Sequence, residues 1–396
     1  MKHTFLSLHP NTFFFKGKHK LLLYNSESHQ YLEAENDPAL EDVQSRLMQL
    51  ENAYCIPINE PLLTQYKYLW AEIENRKLGI LTQSAWQERP VSYPPVLKMH
   101  RNINTIRYDY KERQAGYILQ YLYEVTVYLC GHEQAGGEYY KQTLYPLTYE
   151  GRLSPEELLK WFNRTKGGAL KTVNFVGDPR ILSGYNDLFG FLRRSGTYIN
   201  YYILRDDFLA VRDTQLIPSD FNTVILYAGD TLEKVDPTYD AVCLIADEQE
   251  AHRVKGILSA LPHMGKRAAL VPVYTGENLN FFRECIYTDK DELLCQELSK
   301  HDIFTRMGLN TNYFGKLTIL PDGSIYSNLN TPSLGRLNDS LYEIIYKELN
   351  DGGNWRLVRD FGPCDQCRFR WLCPPVSNYE FVLNKYNLCS VPEDER

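Results

Sequence analysis

Residues 362 to 373 read Gly-Pro-Cys-Asp-Gln-Cys-Arg-Phe-Arg-Trp-Leu-Cys, and a further cysteine follows at position 389. Together, Cys364, Cys367, Cys373 and Cys389 form the pattern C-x2-C-x5-C-x15-C. The first pair puts two thiols on one tight knuckle, and four soft ligands suit zinc or an iron–sulfur cluster. Four of the nine cysteines fall in the last 33 residues. We therefore predict a metal site at these four residues.

The residue types leave zinc and iron open, because both metals accept four thiolates in a tetrahedral arrangement. A zinc ribbon usually shows two matched C-x2-C knuckles, and this chain has one. The remaining cysteines are scattered, and we expect them to be small buried residues without chemistry. They are Cys55, Cys130, Cys243, Cys285 and Cys295.

Composition places the chain among ordered globular proteins, with 43% hydrophobic and 23% charged residues. The formal net charge of -7 argues against a broad nucleic-acid or anionic-membrane surface. The first residues lack the apolar run of a signal peptide, and no segment approaches the roughly 18 apolar residues of a membrane span. We expect a cytoplasmic protein without a nucleic-acid or membrane partner, whose clustered thiols hold metal rather than disulfides.

The first 90 residues predict a small α+β domain of winged-helix type. Apolar runs at 12–15 and 21–24 indicate a hairpin. Asp37-Pro38 opens a predicted helix, and apolar residues at helical spacing over 61–80 predict another. Three prolines in residues 87–98 favour an extended linker, so we place a domain boundary there.

From about residue 120, short apolar runs alternate with helical stretches, which is typical of βα units and a parallel sheet. Ser154-Pro155 begins one such helix. Beyond residue 315 the pattern changes to a hairpin over 316–326 with a Pro-Asp-Gly turn, and then to a helix over 340–349. About six parallel strands are predicted, at residues 125–129, 172–176, 198–204, 223–227, 241–245 and 268–274.

The hairpin with Gly323, the helix beginning Leu341-Tyr342-Glu343 and the cysteine pattern together resemble a SPASM domain, the cluster-binding extension of many peptide-modifying radical-SAM enzymes. The resemblance implies that Cys364, Cys367, Cys373 and Cys389 ligate the outer of two auxiliary clusters. It also implies that the inner cluster is lost, since Ser377 and Tyr326-Ser327-Asn328 occupy positions where that family has cysteines. One [4Fe-4S] cluster is expected, with zinc as the alternative.

The βα region similarly resembles the radical-SAM partial barrel. Val176-Gly177-Asp178-Pro179 resembles that family's Gly-Gly-Glu-Pro segment, which implies that Gly177 and Asp178 form a degenerate S-adenosylmethionine segment. The catalytic C-x3-C-x2-C motif is missing, so we predict no catalytic residue and do not expect bound S-adenosylmethionine. In the two registers in which that motif could follow the first strand, its three positions read Cys130, Gln134 and Gly137, or His132, Gly136 and Tyr139. Cys130 is therefore predicted to be a strand-end residue.

The whole layout resembles the pseudo-radical-SAM/SPASM proteins of Bacteroidales, which accompany short precursor peptides with a Gly-Gly leader. The resemblance implies an α/β fold in which a partial (β/α)6 barrel lies between two smaller domains. The expected partners are a Gly-Gly precursor peptide and a radical-SAM enzyme. The expected domains are 1–90, winged-helix-like and a candidate leader-peptide-binding domain; 100–310, the degenerate barrel; and 311–396, the SPASM-like iron–sulfur domain.

Two local interpretations remain open at this point. The first domain either adds a peptide as a strand to a sheet edge or is an ordinary packing domain. Arg368, Arg370 and Trp371 between the cysteines either steer a peptide, tune a cluster or solvate a loop, and we favour the solvated loop.

Our preferred hypothesis is a non-catalytic accessory protein that binds a precursor peptide and a radical-SAM partner and keeps one cluster as a structural clamp. The first alternative is an enzyme that uses the cluster for electron transfer or retains an S-adenosylmethionine pocket. The second is a zinc-stabilised scaffold.

Overall fold

The computed structural model describes residues 2–97, 115–132, 137–260, 267–350 and 352–395. Within these residues the fold is mixed α/β, and its strands form three sheets. Two of the sheets lie in the first 90 residues, and both are antiparallel with three strands in the orders β5-β1-β6 and β2-β3-β4. Their strands are β1 (Lys2–Leu8), β2 (Thr12–Lys16), β3 (Lys20–Asn25), β4 (Tyr31–Glu35), β5 (Cys55–Ile58) and β6 (Gly79–Ala85).

The predicted hairpin is confirmed as β2 and β3, which pair with Phe14 opposite Leu23. The sheet that they form with β4, which we call the N-terminal sheet, is buried on both faces. Successive side chains of a strand point to opposite faces, so Phe13 and Phe15 share one face and Phe14 lies on the other. The face of Phe13 packs on residues 364–373, which we call the cysteine segment, through Phe369. The opposite face packs on the N-terminal helices. This double burial explains why β3 is an unbroken apolar run.

The N-terminal helices are α1 (Pro38–Leu47), α2 (Glu60–Gln65) and α3 (Lys67–Asn75). The predicted helix start is confirmed, since the Asp37 carboxylate accepts hydrogen bonds from the backbone N–H groups of Ala39 and Leu40. The single helix predicted over 61–80 is wrong. It breaks at Tyr66, and Lys77, with φ of 56°, turns the chain into β6 before Ile80 is reached.

The third sheet has the order β12-β11-β10-β9-β8-β7-β13-β14-β15. Its first six strands are parallel and follow one another in chain order, which confirms the prediction of about six parallel strands. They are β7 (Glu124–Tyr128), β8 (Thr172–Val176), β9 (Tyr198–Leu204), β10 (Asn222–Tyr227), β11 (Asp240–Ile245) and β12 (Ala268–Pro272). The helices among them are α4 (Pro155–Asn163), α5 (Asn186–Arg194), α6 (Arg205–Val211) and α7 (Glu248–Ala260).

The predicted hairpin near residue 320 is also confirmed, as β13 (Lys316–Ile319) and β14 (Ser324–Tyr326). It does not stand apart from the parallel strands. β13 pairs in parallel with β7, with Leu317 opposite Val125, and a short β15 (Gly335–Arg336) ends the sheet. The sheet thus continues across the boundary expected at residue 310.

The remaining helices cover the end of the chain. The helix predicted at 340–349 is confirmed, and the Ser340 hydroxyl accepts the N–H of Glu343 at its start. None of the helices among the described residues combines the length and the apolar character needed to cross a membrane. These last helices are α8 (Leu279–Ile286), α9 (Lys290–Cys295), α10 (Lys300–Gly308), α11 (Leu341–Leu349) and α12 (Asn378–Val382).

Candidate metal centre

The four clustered cysteines come from three local structures. Cys364 opens a single 3-10 turn, and the N–H of Cys367 closes it by donating to the Cys364 carbonyl at 3.0 Å. The N–H of Cys373 donates to the Phe369 carbonyl at 3.0 Å. Cys389 arrives from farther along and forms an isolated bridge with Thr288. Turns hold the first three thiols, and the fourth is delivered by an extended segment.

The four thiols lie close enough together that neighbouring cysteines add to the effect of burial in raising the pKa values of Cys364, Cys367 and Cys373. Cys364 and Cys367 are buried, and Cys373 and Cys389 are half-buried. Burial raises the pKa of Cys367 to about 11 and also raises the pKa values of Cys364 and Cys373. These three thiols are therefore protonated at neutral pH, and a metal that binds them must displace their protons.

The proximity of the four thiols does not by itself make a metal site. Among the residues that the structure describes, no group of three or more His, Cys, Asp or Glu side chains has the arrangement of a metal site. The four thiols share one region of the fold without forming such a group. The assignment of Cys364, Cys367, Cys373 and Cys389 as ligands therefore stays a prediction.

Two arginines supply positive charge beside the thiols. Arg359 is buried, donates to the Glu380 carboxylate at 2.6 Å and to the Pro374 carbonyl at 2.6 Å, and lowers the pKa of Cys364 against the effect of burial. Arg306 donates to the Leu372 carbonyl. Burial lowers the pKa of Arg306, and its attraction to Cys373 offsets part of this effect. Four thiolates around a divalent ion keep a net charge of about −2, which such neighbours stabilise. The donor set and its surroundings thus fit an anionic tetrathiolate group.

Arg368 lies between two of the cysteines and is not a solvated loop residue, so that interpretation is wrong for this side chain. It is 0% exposed. Its guanidinium donates to the Glu33 carboxylate of β4 from Nε at 2.9 Å and to Glu395 from Nη2 at 3.1 Å. Lys290 contacts both carboxylates, at 2.8 Å and 3.0 Å. Sequence reasoning missed this network because its members are remote along the chain and no local pattern marks them.

The segment expected to be a degenerate cofactor site lies at the carboxyl end of β8. Gly177 has φ of 151°, and a Cβ there would lie 3.2 Å from the sulfur of Cys130. The Asp178 N–H donates to the same sulfur at 3.2 Å. The Asp178 carboxylate is engaged by Arg180, whose hydrogen bonds outweigh the effect of burial and hold the pKa of Asp178 below its ordinary value.

Cys130 follows β7 and packs against this turn, as expected of a strand-end residue. Burial raises the pKa of its thiol. Nearby, His132 lies 2.6 Å from the Asp207 carboxylate. Positions 134 and 136 of the two registers lie outside the described residues. Cys130 is the one thiol that the sequence offers between residues 124 and 150.

The positions expected to have lost an inner cluster carry ordinary polar contacts. The N–H and hydroxyl of Ser377 donate to the Glu380 carboxylate at 2.5 and 2.8 Å and so begin α12. The Ser327 hydroxyl accepts from Asn354 at 2.8 Å. Each serine therefore has a local structural role.

Comparison with known proteins gives distant matches. No protein-family profile matches the chain, and no curated protein sequence matches it. Among solved structures, SuiB of Streptococcus suis bound to precursor peptide SuiA is 12% identical, with a TM-score of 0.42 over 96% of this chain and 97% of that one. SuiB bound to S-adenosylmethionine is 11% identical, with a TM-score of 0.44 over the same shares.

Proposed function

We propose that this chain is a non-catalytic accessory protein of ribosomal peptide maturation, which acts in the cytoplasm and binds a Gly-Gly precursor peptide and a radical-SAM partner enzyme. Cys364, Cys367, Cys373 and Cys389 would hold one [4Fe-4S] cluster. The proposal keeps the three expected domains, 1–90, 100–310 as a degenerate partial barrel, and 311–396. Its starting point is the resemblance of the sequence to pseudo-radical-SAM/SPASM proteins.

One contrast between two thiol sites carries the proposal. At the C-terminal site four thiols gather beside the buried guanidinium of Arg359. At the carboxyl ends of β7 and β8, the edge where α/β sheets bind ligands, Cys130, packed against Gly177, is the one thiol among the described residues. A cluster that cleaves S-adenosylmethionine requires three thiolates at that edge. The first site supports metal binding, and the second argues against radical catalysis.

The cluster would act as a clamp, supplying four metal–sulfur bonds that join the turn at Cys364 to the segment at Cys389. A charge pair next to Cys367 connects the proposed cluster site to the N-terminal sheet. Cys367 precedes Arg368, which pairs with Glu33 on β4. Order at the cysteines is thereby linked to the position of the N-terminal sheet, the part proposed to bind a precursor peptide.

Two alternatives have specific support. Four thiolates fit zinc as well as iron, so a zinc-stabilised scaffold accounts for the same residues. An enzyme with a retained S-adenosylmethionine pocket is supported by the position of Gly177 and Asp178 at a strand's carboxyl end. Against it, Arg180 already occupies the Asp178 carboxylate. An enzyme that passes electrons through the cluster would need the same four cysteines.

The first test is the iron, sulfide and zinc content of anaerobically purified protein, together with its visible spectrum. About four iron and four sulfide per chain support the proposal. One zinc without iron replaces it with the scaffold alternative. Incubation with S-adenosylmethionine and dithionite, analysed by mass spectrometry, should give no cleavage product. Cleavage would establish an enzyme instead.

A further inference from the structure

An open groove of about 330 Å³ runs between the N-terminal sheet and the cysteine segment. We call it the β2 groove. Its lining comes from β2, from the end of α1 and the residues that follow it, from α10 and from the residues around Cys367. The side chains that matter for its chemistry are Phe14, Lys16, Met48, Met307, Arg370 and Trp371.

Among the described residues, the lining of the β2 groove is mainly apolar, carries basic side chains and contains no carboxylate. Lys16 is already paired with Glu41 at 2.9 Å. Arg370 stacks on Trp371 at 4.2 Å and donates to the Asp365 carbonyl at 2.9 Å. Within the described ranges no carboxylate is paired with Arg370. An acidic group on a bound molecule would therefore form an ion pair with the guanidinium of Arg370, next to the aromatic ring of Trp371.

The backbone of β2 also supplies hydrogen-bonding groups to the β2 groove. Gly17 donates to the Lys20 carbonyl and Ser26 to that of Asn11, which sets the alternation of paired residues along β2 and β3. Phe14 falls at a position whose N–H and C=O point away from β3. Its carbonyl accepts from Gln44 at 3.0 Å. Its N–H has no partner among the residues of known placement, so it is free to bind the main chain of an extended peptide.

We propose that the β2 groove binds an extended peptide segment that combines an apolar side chain with a neighbouring carboxylate. The peptide main chain pairs with Phe14, its apolar side chain packs between Met48 and Trp371, and its carboxylate meets Arg370. The inference deepens the binding role proposed above and rests on it.

The test uses two fluorescein-labelled synthetic peptides, Glu-Leu-Glu-Phe-Glu-Leu and Lys-Leu-Lys-Phe-Lys-Leu, in fluorescence anisotropy titrations with the full chain. The acidic peptide should bind at least tenfold more tightly than the basic one. Met48→Glu, which places a carboxylate at an exposed groove position, should weaken binding of the acidic peptide about tenfold. Leu50→Glu is the matched control, because Leu50 is 86% exposed and lies outside the groove lining.

Arg370→Glu should reverse the preference between the two peptides. Since Arg370 lies between proposed metal ligands, the variant is compared with wild type for metal content before titration. Equal binding of both peptides, equal effects of Met48→Glu and Leu50→Glu, or a dimer in light scattering that Met48→Glu abolishes would each overturn the inference. Any of these with iron and sulfide still present would reject the β2 groove and leave the proposed cluster intact.

Discussion

The guanidinium Nε of Arg368 donates to the Glu33 carboxylate across 2.9 Å, although the two residues lie 335 positions apart. Glu33 belongs to the N-terminal sheet, and Arg368 lies between two of the candidate metal ligands. Hydrogen bonds from Lys290 and Arg368 outweigh burial and hold the pKa of Glu33 below its ordinary value. The carboxylate is therefore ionised at neutral pH, and the contact is a charge pair.

Replacing Arg368 with Met should lower the free energy of unfolding by about 1–3 kcal/mol, because the half-buried Glu33 carboxylate loses the hydrogen bonds of Arg368 and keeps the contact with Lys290. Urea denaturation measures the change. The double variant Glu33→Gln/Arg368→Met should recover part of the loss, since the amide carries no charge that needs the guanidinium as a partner. Arg212→Met serves as the control at an exposed ion pair and should change stability little. Equal effects at the two arginines would contradict the network.

Glu395 predicts an acid-sensitive contact. Hydrogen bonds from Lys20, Lys290 and Arg368 lower its pKa to about 2 from a model-peptide value of 4.5. A carboxyl group whose pKa is lowered by folding stabilises the fold above its unfolded pKa, and this contribution is lost as the pH falls toward the folded value. Glu395→Gln should therefore reduce the melting temperature at pH 7, and the difference from wild type should shrink between about pH 4.5 and pH 3.

Glu393→Gln is the matched control for this prediction, since Glu393 lies in the same turn and is exposed. Its melting curve should follow wild type throughout. A Glu395→Gln deficit that persists unchanged at pH 3 would show that its origin is not the charge of the carboxylate.

Replacing Cys364 or Cys373 with Ala should abolish metal binding and loosen the end of the chain, because ligation and folding are coupled in small metal sites. Elemental analysis and limited proteolysis measure the two effects. Cys295→Ala controls for the loss of a thiol, since Cys295 lies outside the cluster and is exposed, as is Cys285, so the burial expected for these two from the sequence is wrong. Full metal content in the Cys364 and Cys373 variants would refute the assignment.

Gly177→Ala should destabilise the chain by about 1–3 kcal/mol, because its φ of 151° disfavours a side chain and the new methyl group would meet Cys130. Adding Cys130→Ala should relieve the contact but not the backbone strain. Gly256→Ala in α7, where the new methyl meets no atom within 4 Å, should instead stabilise by about 0.4–1 kcal/mol. Thermal denaturation of the three variants distinguishes these outcomes.

Much of the fold was predictable from local patterns. The apolar runs at Thr172–Val176 and Tyr198–Leu204 define β8 and β9 with their bounds, and Asp37-Pro38 marks the start of α1. Each signal is contained within a few neighbouring residues. β1 was not predicted, since its partners β5 and β6 lie more than 45 residues away and its burial depends on them.

The site was predictable only in part, for a related reason. The spacing of Cys364, Cys367 and Cys373 points to a shared thiol site, and the structure brings these residues near Cys389. Nothing local marks Arg359 as the buried guanidinium beside them or Glu33 as the partner of Arg368. Charged residues read alone resemble surface residues, and only the three-dimensional arrangement of their partners allows their burial.

The pairing of β13 with β7 bears on how the chain folds during synthesis. Strands β7 to β12 emerge from the ribosome in the order in which they pair, so each can join the sheet as it appears. The free edge of β7, however, waits for residues 316–319. Until then this strand edge is open to pairing with other chains, so the nascent chain is exposed to aggregation during the synthesis of nearly 190 further residues.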